Sequence, residues 1–136
     1  MKLIECVPNF SEGKNSNFIN SITSIVQNSK NVKLLDIDPG HDTNRTVLTF
    51  IGQPSDVVDV AYRLIEFASI NINMENHEGE HPRMGATDVC PLIPLQNTTM
   101  KECIELSKLL ASKVGSSLNI PVYLYEKSSK IKHRIN

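Results

Sequence analysis

The sequence has no excess of positive charge: Lys and Arg number 14 against 15 Asp and Glu, for a net charge of −1 at neutral pH. A surface with no net pull on phosphate gives no electrostatic case for nucleic acid or an anionic membrane as partner. Aromatic residues make up 5% of the chain and tryptophan is absent, which argues against a platform for stacking bases. Cysteine is sparse. Cys6, Cys90 and Cys103 lie far apart in apolar runs, and no CxxC pair is present to frame a structural zinc. Free buried thiols in a reducing compartment are expected, hence a cytoplasmic location. The opening Met1-Lys2-Leu3-Ile4-Glu5-Cys6 is too short and too acidic for a signal peptide. No run approaches the ~20 apolar residues of a membrane span. Internal repeats and low-complexity stretches are also missing.

What is present fits one soluble domain. The 136 residues are 40% hydrophobic and 21% charged, and a chain of this size buries roughly 68% of its surface on folding. Lys2 to Val7 predicts a strand stopped by Pro8, with a turn-rich loop from Asn9 to Gly13. Phe18, Ile19, Ile22, Ile25 and Val26 fall on a helical period, with Asn15 or Ser16 as cap. Lys33–Asp38 and Arg45–Ile51 predict two strands of an antiparallel hairpin joined through His41-Asp42-Thr43-Asn44. Pro54 suits the first turn of a helix whose apolar stripe runs from Val57 to Ala68. Val89–Leu95 predicts a fourth strand, and Pro91 and Pro94 mark it as an edge or a broken ladder. Thr99 and Glu102 have the spacing of a capping box. They open a third helix with Met100, Cys103, Ile104, Leu106, Leu109, Leu110 and Val114 inward and Gly115 as terminator. Pro121–Tyr125 predicts a fifth strand. The order β-α-β-β-α-β-α-β predicts an α/β (α+β) two-layer sandwich, ferredoxin-like in its first six elements and extended by a further helix and strand. Residues 1–126 form the domain, and the basic residues of 127–136 are expected to be a solvated tail.

Between the second helix and the fourth strand stands His77-Glu78-Gly79-Glu80-His81-Pro82-Arg83-Met84-Gly85-Ala86-Thr87-Asp88. Its only large hydrophobe is Met84, so packing does not explain it. His77 to His81 matches the HExxH pattern of zinc hydrolases, but that chemistry needs both imidazoles on one face of a helix. Gly79 sits in its middle, and Pro82 biases His81 away from helical geometry. Among later residues only His133, in the tail, offers a third imidazole. The other use is acid–base: an imidazole titrates near neutrality, Arg83 can grip a carboxylate, and Glu80 can set the tautomer or face water. A solvated surface loop is the bland alternative, and composition leaves the two level.

Two further loops have similar character. For Asn9–Gly13 a helix-capping turn is the better reading. For Asp38–Arg45 a plain hairpin connection competes evenly with function. Asp38, at a strand end, can orient an imidazole. Arg45 is equally a scaffold ion pair or a ligand contact. His41 and Asp42 read as solvated.

Val7-Pro8-Asn9-Phe10-Ser11-Glu12-Gly13, Thr43-Asn44-Arg45-Thr46-Val47, Gly79-Glu80-His81-Pro82-Arg83-Met84-Gly85-Ala86, Asp88-Val89-Cys90-Pro91 and Pro121-Val122-Tyr123-Leu124-Tyr125 together resemble the N-terminal subdomain of glutamate formiminotransferase, the transferase half of formiminotransferase-cyclodeaminase. The resemblance implies transfer of the formimino group of N-formimino-L-glutamate to N5 of tetrahydrofolate, the last step of one histidine degradation route. It implies His81 as the catalytic acid–base residue and Asp38 as its acidic neighbour. It implies tetrahydrofolate as cosubstrate, with no metal. Arg83 is expected on charge grounds to meet a substrate carboxylate, and Asn9, Arg45 and Glu80 complete the expected substrate-binding set. Family enzymes carry a second subdomain of similar fold and hold folate between the two, whereas this chain stops at Asn136. The expectations are therefore a separately encoded second half, a homo-oligomer that substitutes for it, or a catalytically incomplete folate-binding or interaction module.

Overall fold

The computed structural model describes residues 1–72, 87–118, 122–124 and 130–133, with backbone alone for Asp88 and the last two stretches. The elements in chain order are β1 Leu3–Cys6, β2 Asn9–Phe10, α1 Ser16–Gln27, β3 Val32–Gly40, β4 Arg45–Gly52, α2 Pro54–Asn71, β5 Thr87–Gln96, α3 Met100–Ser117, β6 Val122–Leu124 and β7 Lys130–His133.

Local chemistry explains most boundaries. The Asn15 side chain accepts from the Phe18 N–H at 3.1 Å and caps α1. Thr99 and Glu102 form the reciprocal capping box of α3. Pro54 stands in the first turn of α2, whose buried residues run from Val57 to Ala68 as the periodicity predicts. Three expectations about α3 need correction. Gly115 lies inside the helix, which runs on to Ser117. Met100 and Leu109 are exposed, and the buried positions are Cys103, Ser107, Leu110 and Val114. Their i, i+4, i+7, i+11 spacing is a narrower stripe than the apolar content of the segment suggests.

Strand β4 alternates strictly, with Thr46, Leu48, Phe50 and Gly52 buried and Arg45, Val47, Thr49 and Ile51 only half-buried. A sheet patterned this way has one packed and one uncovered face. The core joins the packed face to α1, α2 and α3, through residues such as Ile4, Phe10, Leu48, Phe50, Ile22, Leu64 and Leu110. That is the two-layer α+β fold predicted.

All strand pairings are antiparallel and give the order β3-β4-(β1,β2)-β5-β7-β6. Counting β1 and β2 as one interrupted strand, the first four strands have the ferredoxin-like order. Strands β1 and β3 flank β4, so they are parallel to each other and joined through α1. By the same logic β4 and β5 flank β1/β2, and β5 and β6 flank β7. The fold is thus three successive split β-α-β units, which set the helices on one face.

Two strands were not predicted. Asn9–Phe10, expected as loop, pairs with both β4 and β5. Lys130–His133, within the stretch read as a basic tail, pairs with β5 and β6. With β7 on one side and β1/β2 on the other, β5 is interior at Pro91 rather than an edge. The two prolines are accommodated differently. The Pro91 carbonyl accepts from the Val7 N–H at 3.2 Å, so its missing N–H falls opposite the Val7 carbonyl. That carbonyl accepts instead from the Asn9 side-chain amide at 3.1 Å. Pro94, three residues on, faces the other side, where β7 has already ended at the Pro91–Lys130 pair. The ladder is broken where the prolines require it.

At its start β5 carries a bulge: Asn9 pairs with Val89 but Phe10 with Thr87, leaving Asp88 extra. The bulge turns Thr87 to the packed face beside Phe10. Thr87 is 2% exposed, and its hydroxyl has no hydrogen-bond partner among the described residues. An unpaired buried hydroxyl costs about 1–3 kcal/mol. Thr87→Val, of the same shape, is expected to raise stability by about 1 kcal/mol, read as a higher urea midpoint at unchanged slope. A lowered midpoint would mean that a buried water satisfies the hydroxyl.

Candidate functional site at the uncovered end of the sheet

Strand register gathers several of the expected residues. Asp38 pairs with Val47, Val47 with Asn9, and Asn9 with Val89. Directly opposed residues share a face. Val47 and Val89 are half-buried while their neighbours Leu48 and Cys90 are fully buried, so this row lies on the face that α1, α2 and α3, the helices among the described residues, leave uncovered. At about 4.8 Å per strand, the backbones of Asp38 and Asn9 stand about 10 Å apart. Arg45, two residues before Val47, is on the same face and opposite Gly40. Asp38 is exposed, and Asn9 and Arg45 are half-buried. Three of the six expected site residues therefore meet at one end of the sheet.

The other three, His81, Arg83 and Glu80, lie outside the described residues, as do His77 and Glu78 of the HExxH-like match. The described chain resumes at Thr87, six residues after His81 and next to Asn9 through the bulge. Among the described residues no group of three or more His, Cys, Asp or Glu could hold a metal, and no helix is long and apolar enough to cross a membrane. His41 and Asp42, 3.8 Å apart, are both exposed in the β3–β4 turn, as solvated loop residues should be.

A set of contacts not anticipated from sequence holds this end together. Gly13 is buried against the hairpin, and its N–H donates to the Asn44 side-chain oxygen at 2.8 Å. The buried Thr46 hydroxyl donates to the Glu12 carbonyl at 2.6 Å. One Glu12 carboxylate oxygen accepts from the N–H groups of Lys14 and Asn15, both at 3.0 Å. Of the Asn9–Gly13 loop expected as a helix-capping turn, Glu12 thus leads into α1 as such a turn would, while Asn9–Phe10 is strand. Asn44 holds φ of 54°, a left-handed conformation that asparagine tolerates better than most residues. The available signal was indirect: 7–13 and 43–47 were singled out as separate segments, and the structure welds them. Asn44→Ala is expected to cost about 2–3 kcal/mol, combining left-handed strain with the lost hydrogen bond. Asn44→Gly, which keeps the backbone freedom, is expected to cost only about 1 kcal/mol by denaturant titration.

Comparison with known proteins supplies the family. The model of the formiminotransferase domain, N-terminal subdomain, matches residues 3–136. The chain belongs to this formiminotransferase N-terminal subdomain family. It is 45% identical over 133 residues to the formimidoyltransferase-cyclodeaminase of Dictyostelium discoideum, covering 98% of this chain and 25% of that protein. It is 43% identical over 135 residues to the glutamate formimidoyltransferase of Streptococcus pyogenes, covering 99% of this chain and 45% of the relative. The glutamate formimidoyltransferase of Thermoplasma acidophilum is 45% identical over 130 residues, 96% of this chain and 43% of the relative. The chain thus spans between a quarter and just under half of these relatives' lengths. Within the subdomain, the uncovered sheet face presents a carboxylate, a carboxamide and a guanidinium at one end. These groups suit a small substrate with polar and anionic groups.

Proposed function

We propose that this chain carries the proton-transfer half of a glutamate formimidoyltransferase site. It moves the formimino group of N-formimino-L-glutamate to N5 of tetrahydrofolate and releases glutamate. The supporting observation is the gathering of Asp38, Asn9 and Arg45 on the uncovered face, at the end where β5 begins six residues after His81. In this reading His81 takes the proton from N5 as the nitrogen attacks the formimino carbon. It then returns a proton to the departing glutamate nitrogen. Asp38 fixes the tautomer of the ring. Arg83 and Arg45 meet carboxylates of the substrates, and Asn9 and Glu80 contribute hydrogen bonds. No covalent enzyme intermediate and no metal are needed. The setting is cytoplasmic histidine degradation.

A second reading is that residues 1–136, taken by themselves, bind folate without turning it over. A second-subdomain protein or another copy of this chain then completes the crevice. The test is glutamate release from N-formimino-L-glutamate and tetrahydrofolate, measured on the purified chain alone and on the chain mixed with the remainder of a relative. Activity of the chain alone supports the complete site, and activity only in the mixture supports the half-site. If neither preparation binds tetrahydrofolate in equilibrium dialysis, the transferase reading fails. Stoichiometric zinc in the purified protein, with loss of function on chelation, would instead favour the hydrolase pattern at His77 and His81.

A further inference from the structure

Cys6 of β1 and Cys90 of β5 are separated by 84 residues, yet their sulfurs are 3.5 Å apart in a thiol hydrogen bond. Both side chains are fully buried. The strands are clamped immediately beside them by the Val7 N–H to Pro91 carbonyl bond. The third cysteine, Cys103, is a free buried thiol on α3. A pair of sulfurs held in contact has lost most of the freedom that two thiols give up when a disulfide forms. Cys6 stands opposite Leu92, so Cys90 is its diagonal neighbour across β1 and β5, at a backbone separation of about 7–8 Å. Closing the sulfurs from 3.5 Å to a bond of about 2.05 Å therefore needs the two strands to draw together locally as well as side-chain rotation.

We propose that Cys6 and Cys90 are a redox pair: the native fold favours their disulfide, and the disulfide favours the native fold. With a small-molecule disulfide such as oxidised glutathione as the oxidant, one cysteine sulfur attacks it and expels one glutathione thiol. The second cysteine sulfur then attacks the mixed disulfide and expels the other. The protein loses two hydrogens, and one oxidised glutathione becomes two reduced ones. Burial, together with the neighbouring Cys90 thiol, pushes the Cys6 thiol well above its ordinary pKa. Exchange in the closed fold is therefore slow, because the thiolate is the attacking form. It runs when the strands part or while the chain folds, and the product is then shielded from reductant. The bond would tie β1 to β5 directly before the Val7–Pro91 joint, beneath Asn9. The inference is independent of the transfer chemistry.

The test is an equilibrium titration of the full chain and of Cys103→Ser in glutathione redox buffers, with and without denaturant, followed by peptide mapping. The expected result is a Cys6–Cys90 link in both proteins, favoured about 100-fold or more by the folded state over the denatured one. The linked form should melt about 5–10 °C higher than the reduced form. Cys6→Ser and Cys90→Ser should each abolish the shift. The proposal is overturned if the folded pair stays reduced in buffers that oxidise the denatured chain. Links through Cys103, glutathione adducts in place of the internal bond, or a linked form that melts lower would also overturn it.

Discussion

His81→Ala is expected to lower turnover of formiminoglutamate and tetrahydrofolate by about 10²–10⁴-fold, the range by which a positioned acid–base group accelerates proton transfer. The loss should fall on kcat with little change in KM, because the reaction demands two proton movements at one place. N5 of tetrahydrofolate must shed a proton as it bonds to the formimino carbon, and the glutamate nitrogen must gain one to leave. In the proposed transfer, a single imidazole, neutral before the first movement and charged before the second, would serve both. The sign of the pH dependence follows. As a base in the free enzyme, the ring must be neutral, so kcat/KM should fall toward acid pH. In His81→Ala the residual rate should lose that limb. His81→Gln, which keeps a hydrogen-bonding side chain but cannot carry the proton, should be as impaired as alanine. Asp38→Asn should leave folate binding nearly intact while lowering kcat, since a residue that orients the ring touches neither substrate. A His81→Ala enzyme within a few-fold of the parent would remove the acid–base assignment.

The sheet and helices were legible because their signals are local. Asn15, Pro54 and the Thr99–Glu102 pair each act within a turn of chain, and the period of two in Arg45–Gly52 needs no partner to be recognised. What was not legible depended on what lies opposite. Asn9–Phe10 has turn-like composition, yet becomes a strand because β4 and β5 offer ladders on both sides. Lys130–His133 carries charge that reads as solvent-facing, but its backbone is paired by β5 and β6. Pro91 and Pro94 left an edge and a broken ladder open, and only the structure shows the second, with a side-chain amide from Asn9 in place of the N–H missing at Pro91. The candidate site divides likewise. Asp38, Asn9 and Arg45 were named one by one, but only register places them on one face. Gly13 and Asn44, which hold that register, looked like ordinary turn residues, and Thr46 like an ordinary strand residue.

Gly13→Ala tests that frame without touching an ionisable group. A Cβ on Gly13 would stand 2.4 Å from the Gly40 carbonyl oxygen, 2.5 Å from the Arg45 carbonyl oxygen and 2.6 Å from the Arg45 nitrogen. All three are backbone atoms of the β3–β4 hairpin, so no side chain can swing aside. Residues 11–13 must back away from the hairpin. In doing so they strain or break the Gly13 to Asn44 bond at 2.8 Å and the Thr46 to Glu12 bond at 2.6 Å. The combined overpacking and lost buried hydrogen bonds are expected to cost about 3–5 kcal/mol. Function should suffer as well, because retreat of the loop shifts Asn9 relative to Asp38 and Arg45. Positioning errors of about 1 Å can cost about 100-fold in rate. The energetic claim is sharpest in a double-mutant cycle with Asn44→Ala. Both substitutions act through one contact, so their costs should fall short of additive by about 1 kcal/mol or more. A cycle that closes additively, or a Gly13→Ala protein as stable as the parent, would mean that this loop is not seated on the hairpin. In that case the row from Asp38 to Val89 would not be held by residues 12–13.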